Sequence, residues 1–211
     1  RKDAADNVAL LTPIAKAFLT DNAFECTNHG VQVYGGHGFI AEWGMEQYVR
    51  DARITQIYEG TNGVQALDLL GRKILSDMGA KMKKFGEQIR AFVEENGVDM
   101  KMQEFVNPLG DIAVKVEKLT MEIGMKAMQN QDEVGAASVP YQRVVGHLVF
   151  AYFWARMAKI ALAHESTDDF YKAKLATARF YFAKLLPETA GYIRQARAGN
   201  ASLAEMQDDW F

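Results

Sequence analysis

The chain has 211 residues, of which 49% are hydrophobic and 24% are charged, a composition that excludes disordered and collagen-like proteins. Lys and Arg total 24 while Asp and Glu total 27, so the formal net charge is -3 and nucleic acid is not expected as a partner. The single cysteine, Cys26, excludes an internal disulfide and is compatible with a reducing, cytoplasmic compartment.

Apolar residues recur at three- and four-residue spacing, which predicts an all-α helical bundle with almost no β-structure. Residues 79–106 form a weaker helical stretch, and a shorter helix is expected after Pro187. Ser166 is predicted to cap the last of six main helices, and all four prolines are interpreted as helix starts or ends. The six main helices are predicted over residues 13–34, 45–57, 62–76, 111–129, 141–164 and 167–186.

One stretch is apolar enough to need comparison with a membrane span. Residues 144–155 contain His147 and are followed by Arg156, so the run is too short and too charged to cross a bilayer. We interpret it as a buried core helix and expect no membrane span.

The first candidate site is Gly35-Gly36-His37-Gly38, directly after the first predicted helix. Three glycines in four positions let backbone N–H groups approach a phosphate closely. The same residues also form an ordinary helix C-cap and loop. Composition alone favours the C-cap.

The second candidate site is Tyr58-Glu59-Gly60-Thr61-Asn62, between two amphipathic helices. A glutamate on such a short loop can act as a general base. Alternatively, Glu59 is an acidic residue near a helix start that Thr61 caps. Spacing alone favours this second interpretation.

The histidines, the cysteine and the methionine and aromatic residues do not indicate a further catalytic or metal site. The four histidines share no ligand spacing, so no metal site is assigned. Cys26 lies on an apolar helical stretch and is expected to be buried. Methionines and aromatic residues between 98 and 186 indicate core and subunit-interface packing.

Three blocks resemble the C-terminal helical domain of the flavin-dependent acyl-CoA dehydrogenases in order, spacing and residue type, over roughly residues 3–75. The blocks are VQVYGGHGF at 31–39, EQYVRDARI at 46–54 and QIYEGTN at 56–62. Residues 105–211 are similar to an extra helical domain of one bacterial branch, the 3-methylmercaptopropionyl-CoA dehydrogenase-like enzymes. The similar segments there are GAA at 135–137, WARMA at 154–158, KLATARFY at 174–181, LPE at 186–188 and DWF at 209–211.

The resemblance implies three segments: 1–78 as the C-terminal helical part of the dehydrogenase domain, 79–104 as a helical connection, and 105–211 as the extra domain. It also implies oxidation of an acyl-CoA thioester to a trans-2-enoyl-CoA. Glu59 then removes the α-proton while the β-hydride passes to FAD. Water exclusion by the acyl chain strengthens such a carboxylate as a base.

Further site residues follow from the resemblance alone. Gln32, Gly35 and Gly36 match a Gln-x-x-Gly-Gly element that contacts FAD across a subunit interface, and Thr61 matches another flavin-contacting position. Tyr58 and Gly60 flank the base and are expected to contact substrate. Where many relatives have Gln two residues after the threonine, this chain has Gly63. An Arg50–Asp51 ion pair is expected to support the Glu59 loop.

The resemblance implies electron-transfer flavoprotein as the oxidant and a homo-oligomer, either a dimer or a tetramer. The chain begins without Met and lacks the family's N-terminal and middle domains. We therefore expect the C-terminal third of a longer enzyme, ending at or near a natural C-terminus. Alone, it is expected to be inactive and to bind FAD weakly or not at all. The alternative is a non-catalytic helical oligomerisation or interaction module derived from the family.

Overall fold

The computed structural model describes residues 2–210, and all regular structure within that range is helical. The all-α prediction is confirmed. The α-helices are α1 (Lys2–Tyr34), α2 (Met45–Thr55), α3 (Asn62–Leu67), α4 (Ala80–Asn96), α5 (Gln103–Gln129), α6 (Asp132–His164), α7 (Asp169–Phe180), α8 (Thr189–Ala198) and α9 (Ala201–Ala204).

Two helices continue in altered helical geometry. After α3 the chain forms a π-helical stretch, Asp68–Ile74, and then a 3₁₀ turn, Leu75–Asp77. After α7 it forms a π-helical stretch, Tyr181–Leu185, followed by the 3₁₀ turn Leu186–Glu188. Three further 3₁₀ turns span Gly35–Phe39, Ala41–Trp43 and Asp208–Trp210.

Helix α6 is the central element of the bundle, and it packs against α1, α3, α5, α7 and α8. Every residue from Tyr141 to Val149 is buried, as expected for a helix that is surrounded on all sides. The buried helix predicted over 144–155 is therefore confirmed for most of the run, whereas Phe153 near its end is exposed. At the crossing with α1, a Cβ atom added to Gly146 would come within 2.4 Å of the Phe18 ring.

Three prolines do not mark helix ends, contrary to the sequence prediction. Pro13, Pro108 and Pro140 lie inside α1, α5 and α6, which start earlier than predicted, at Lys2, Gln103 and Asp132. A proline inside a helix removes one backbone hydrogen bond. Buried side chains before each proline favour the helix nevertheless: Leu10 in α1, Phe105 and Val106 in α5, and Ala137 and Ser138 in α6. Pro187 does lie at the start of a helical turn.

The start of α7 also differs from the prediction. Its cap is Asp168, whose carboxylate accepts a hydrogen bond from the Phe170 N–H at 2.8 Å, and the predicted cap Ser166 lies outside the helix. The weakly patterned stretch 79–106 contains the whole of α4 and the start of α5.

Residues 19–65 contribute almost nothing to the core. In α1 the buried side chains all lie between Leu10 and Phe18. Between 19 and 65 the only buried residue is Gly38. Cys26 is exposed, so its predicted burial is wrong: the second half of α1 extends beyond the bundle that buries the first half. Within residues 2–210, no helix is both long enough and apolar enough to cross a membrane.

Candidate functional site

A tight loop joins α2 to α3 and carries Glu59. The Asn62 N–H donates to the Gln56 carbonyl at 3.1 Å and closes the loop. Glu59 has a φ of 55° and Gly60 has a φ of 83°, so two consecutive residues adopt positive φ. That conformation is unfavourable for glutamate, and strained residues of this kind cluster at functional sites. We refer to residues 56–62 as the base loop.

The start of α3 fixes one end of the base loop. The Val64 N–H donates to Thr61 Oγ1 at 3.3 Å, which confirms the predicted cap. Gln65 Nε2 donates to the Glu59 carbonyl at 3.2 Å. A Cβ atom on Gly60 would lie 2.8 Å from that Nε2 atom, so glycine leaves room for the Gln65 side chain.

Polar side chains tie the base loop to the middle of α1. Asn62 Nδ2 donates to Asp21 Oδ1 at 2.6 Å, and Asn62 Oδ1 accepts from Lys16 Nζ at 2.7 Å. Asn62 Nδ2 also lies 2.9 Å from Thr20 Oγ1. Gln56 Nε2, at the other end of the loop, donates to the same Asp21 Oδ1 atom at 2.8 Å. Both ends of the loop therefore converge on one carboxylate.

Glu59 itself is exposed. Across residues 2–210, neither a hydrogen bond nor an ion pair engages its carboxylate. An exposed and unpaired carboxylate can accept a proton from a molecule placed against the loop. In water it is a weak base, so efficient proton transfer from carbon requires that the bound molecule exclude water.

The glycine turn at the end of α1 has the C-cap geometry that composition favoured, and its role in binding a phosphate stays a prediction. Gly35 has a φ of 60° directly after Tyr34, which is the geometry of a helix C-cap. A Cβ atom on Gly38 would come within 2.4 Å of the Val31 carbonyl oxygen, so Gly38 is needed for close backbone packing. A Cβ atom on Gly35 or Gly36 meets nothing within 4 Å, which leaves that side open to a ligand.

The structure does not bring all predicted site residues together. Gln32 precedes Gly35 and Gly36 by three and four residues, so these three share one end of α1. Tyr58, Glu59, Gly60 and Thr61 form the second group, which Asp21 anchors. Tyr34 lies thirteen positions after Asp21 on the same helix, or about 20 Å along the axis.

The expected Arg50–Asp51 ion pair is wrong. Adjacent residues on a helix point in different directions. Asp51 Oδ1 instead accepts a hydrogen bond from Gln47 Nε2 at 2.8 Å, and within the described residues no ion pair includes Arg50. The residues that do hold the base loop were not predicted from the sequence; they are Asp21, Gln56, Asn62 and Gln65. An asparagine directly after a helix cap, opposite a helix carrying Thr20 and Asp21, was the available signal.

Two family models match the chain. The model described as "Acyl-CoA dehydrogenase, C-terminal domain" matches residues 1–75. The model described as "Acetyl-CoA dehydrogenase C-terminal like" matches residues 85–207. Together they cover both residues 19–65, which we call the site-bearing segment, and the helices around α6.

Curated relatives agree with these matches. The chain is 34% identical, over 96% of its length, to 3-methylmercaptopropionyl-CoA dehydrogenase of Ruegeria pomeroyi, of which it covers 35%. It is 31% identical, over 84% of its length, to a broad-specificity linear acyl-CoA dehydrogenase of Mycobacterium tuberculosis, of which it covers 31%. It is 29% identical, over 98% of its length, to a butyryl-CoA dehydrogenase of Syntrophomonas wolfei, of which it covers 35%. The chain thus spans about a third of these relatives.

Proposed function

This chain belongs to the acyl-CoA dehydrogenase family, and from that premise we propose that it is the C-terminal part of an enzyme oxidising an acyl-CoA thioester to the trans-2-enoyl-CoA. In this proposal Glu59 removes the α-proton. The supporting observation is the base loop, which holds an unpaired glutamate at a φ of 55° between two anchored ends.

The residues around Glu59 suit removal of a proton from carbon. Loss of the α-proton places negative charge on the thioester oxygen, and hydrogen-bond donors aimed at that oxygen lower the barrier. Across residues 2–210, the Glu59 N–H donates to no acceptor, so it is available as one such donor. Tyr58 and Gly60 flank it and are proposed to contact the substrate. The acyl chain excludes water from the carboxylate and thereby strengthens it as a base.

FAD is the proposed cofactor, and when bound it supplies the acceptor for the β-hydride. Gln32, Gly35 and Gly36 are proposed to hold it at the end of α1, where the open space at both glycines allows close approach of a pyrophosphate. Thr61 is a further contact. Its oxygen accepts the Val64 N–H, while its own O–H remains a donor for a ligand.

The proposed enzyme is a homo-oligomer, dimeric or tetrameric, that passes electrons to electron-transfer flavoprotein. Exposed apolar side chains in the site-bearing segment support coverage by missing parts of the enzyme or by another subunit. Exposed residues of this kind include Val33, Tyr34, Phe39, Trp43, Tyr48 and Tyr58. Since so much of the site lies elsewhere, residues 1–211 alone are proposed to be inactive.

Anaerobic mixing of the full-length flavoenzyme with saturated acyl-CoAs tests this proposal through bleaching of the flavin absorption. Glu59→Gln removes the base and keeps the size of the side chain, so bleaching should slow about 10²- to 10⁴-fold with flavin content unchanged. Glu42→Gln, an exposed change in the turn Ala41–Trp43, is the matched control and should bleach normally. If the flavin of Glu59→Gln is bleached at the wild-type rate, Glu59 is not the base of the reaction.

A non-catalytic oligomerisation module is the competing function. It predicts a full-length protein that binds no flavin and is bleached by no acyl-CoA. Tight, stoichiometric FAD binding by residues 1–211 alone would contradict the proposed inactivity of this part.

A further inference from the structure

Arg143 is a buried cation at the junction of three helices. It lies on α6, and its side chain is only 9% exposed. Its guanidinium packs over the Phe18 ring of α1 at 5.0 Å and over the Tyr192 ring of α8 at 5.4 Å. Two aromatic faces therefore hold the guanidinium in one orientation.

The Arg143 guanidinium is directed at the carboxylate that anchors the base loop. Arg143 Nη1 lies 3.8 Å from Asp21 Oδ2. The other oxygen, Asp21 Oδ1, accepts the hydrogen bonds from Gln56 and Asn62. Asp21 thus contacts the cation with one oxygen and both ends of the base loop with the other.

Apolar packing cannot replace this anchor. From Phe39 to Gln65 no residue is buried, so no core side chain holds the base loop in place. Glu59 has an unfavourable backbone conformation that persists only where surrounding contacts impose it. The polar contacts to Asp21 are the main contacts of this kind, together with the Gln65 hydrogen bond to the Glu59 carbonyl.

We propose that Asp21 and Arg143 are a positioning pair through which α6, in the second segment (residues 105–211), orients the base loop and sets the placement of Glu59. The inference rests on the proposed function. It makes the second segment part of the catalytic arrangement, in addition to any role in assembly. Neither residue touches substrate: Arg143 acts on Asp21, and Asp21 acts on Gln56 and Asn62.

Arg143→Met in the full-length flavoenzyme tests the pair, because methionine keeps apolar packing between the rings and removes the charge. The rate constant of anaerobic flavin bleaching at saturating acyl-CoA should fall about 10- to 100-fold, as expected for a misplaced catalytic group. The acyl-CoA concentration at half-saturation should change little. The isotope effect with α-deuterated acyl-CoA should rise, because proton removal becomes more rate-limiting.

A purely structural role for Arg143 predicts a different result. In that case Arg143→Met would lower the melting temperature or the flavin content. The bleaching rate per bound flavin and the isotope effect would stay unchanged. That pattern would overturn the proposal. Arg143→Lys, which keeps the charge, should recover part of the rate.

Arg179→Met is the matched control. Arg179 on α7 forms a two-pronged ion pair with Glu104 on α5, at 2.9 and 3.0 Å, far along the chain from the base loop. Like Arg143→Met, this substitution removes an arginine–carboxylate pair between two helices. Bleaching by this variant should match the wild type, and a comparable slowing would show that any such pair in the second segment matters.

Gln56→Leu provides a second test should Arg143→Met fail to retain flavin. Gln56 is only partly buried, and its replacement removes one of the two loop contacts to Asp21 without leaving a buried charge unpaired. A slower rate per flavin supports the proposal, and a wild-type rate overturns it. If Glu59→Gln keeps its activity, the proposed function itself is wrong. If Glu59→Gln is inactive but the Arg143 and Gln56 variants have wild-type rates, only the Asp21–Arg143 positioning pair is wrong.

Discussion

The site-bearing segment, residues 19–65, and the bundle around α6 are built on different principles. The bundle buries large apolar side chains on every helix from α4 to α8, whereas the site-bearing segment buries only Gly38. Hydrogen bonds, helix caps and positive φ angles shape that segment instead. All predicted site residues lie in the segment without a core, so its conformation depends on contacts with α1 and α6.

The same difference determines where apolar side chains point. In the bundle, Phe105 packs against Phe182 in the interior. In the site-bearing segment, Phe39 and Trp43 are exposed. Large apolar side chains on a surface are typical of an interface, which agrees with a chain that spans about a third of its relatives.

The largest expected effect separates the two regions by stability. Phe105 is 0% exposed and Phe39 is 82% exposed. Phe105→Ala should lower the free energy of unfolding of this chain by about 3–5 kcal/mol, because it leaves a cavity. Phe39→Ala should change it by less than about 0.5 kcal/mol. Urea unfolding followed by circular dichroism measures both, and equal losses would refute the contrast.

The second effect concerns pH at the junction of α1 and α6. Burial, with a smaller contribution from the positive charge of Arg143, lowers the pKa of His147 to about 4. Phe18, Tyr181 and Glu188 are its other neighbours. Tyr181 O–H donates to the His147 carbonyl at 2.9 Å, and His147 Nε2 has no hydrogen-bond partner among the described residues. At neutral pH the ring is uncharged, so its 3.8 Å contact with Glu188 is not an ion pair.

A histidine with a lowered pKa costs no stability as long as the unfolded chain is also neutral. Below about pH 6.5 the unfolded chain binds a proton that the folded chain rejects, so stability falls as the pH drops toward 4. The loss approaches about 3 kcal/mol. His147→Gln should remove this part of the pH dependence in unfolding measured at each pH. His164→Gln, at the exposed end of α6, should leave it unchanged.

The smallest expected effect tests how tightly α1 and α6 cross. Gly146→Ala places a methyl group against the Phe18 ring, which Arg143, His147 and Phe150 already surround. It should destabilise the chain by about 1–3 kcal/mol through overpacking. Gly135→Ala on the same helix meets nothing within 4 Å and should be neutral or stabilising by up to about 1 kcal/mol. Melting temperatures of the two variants should therefore move in opposite directions or differ clearly.

Local patterns in the sequence were sufficient for much of the fold. The end of α1 at Tyr34, the Thr61 cap and the buried run in α6 were all predicted, since each depends on residues within a few positions. The division into 1–78, 79–104 and 105–211 stays a prediction, as do the roles of Glu59 and the glycine turn. Three prolines did not end helices as predicted, because buried side chains before them favour the helix over the lost hydrogen bond.

By itself, the sequence determined an all-α chain of this family and a candidate base on a short loop, because helical periodicity and the family's motifs are local. Only the tertiary structure decided what holds that loop. Asp21 and Asn62 are 41 residues apart, and Arg143 lies on yet another helix. Which carboxylate meets which cation depends on how helices cross, and crossing is set by packing at positions such as Gly146 and Phe18.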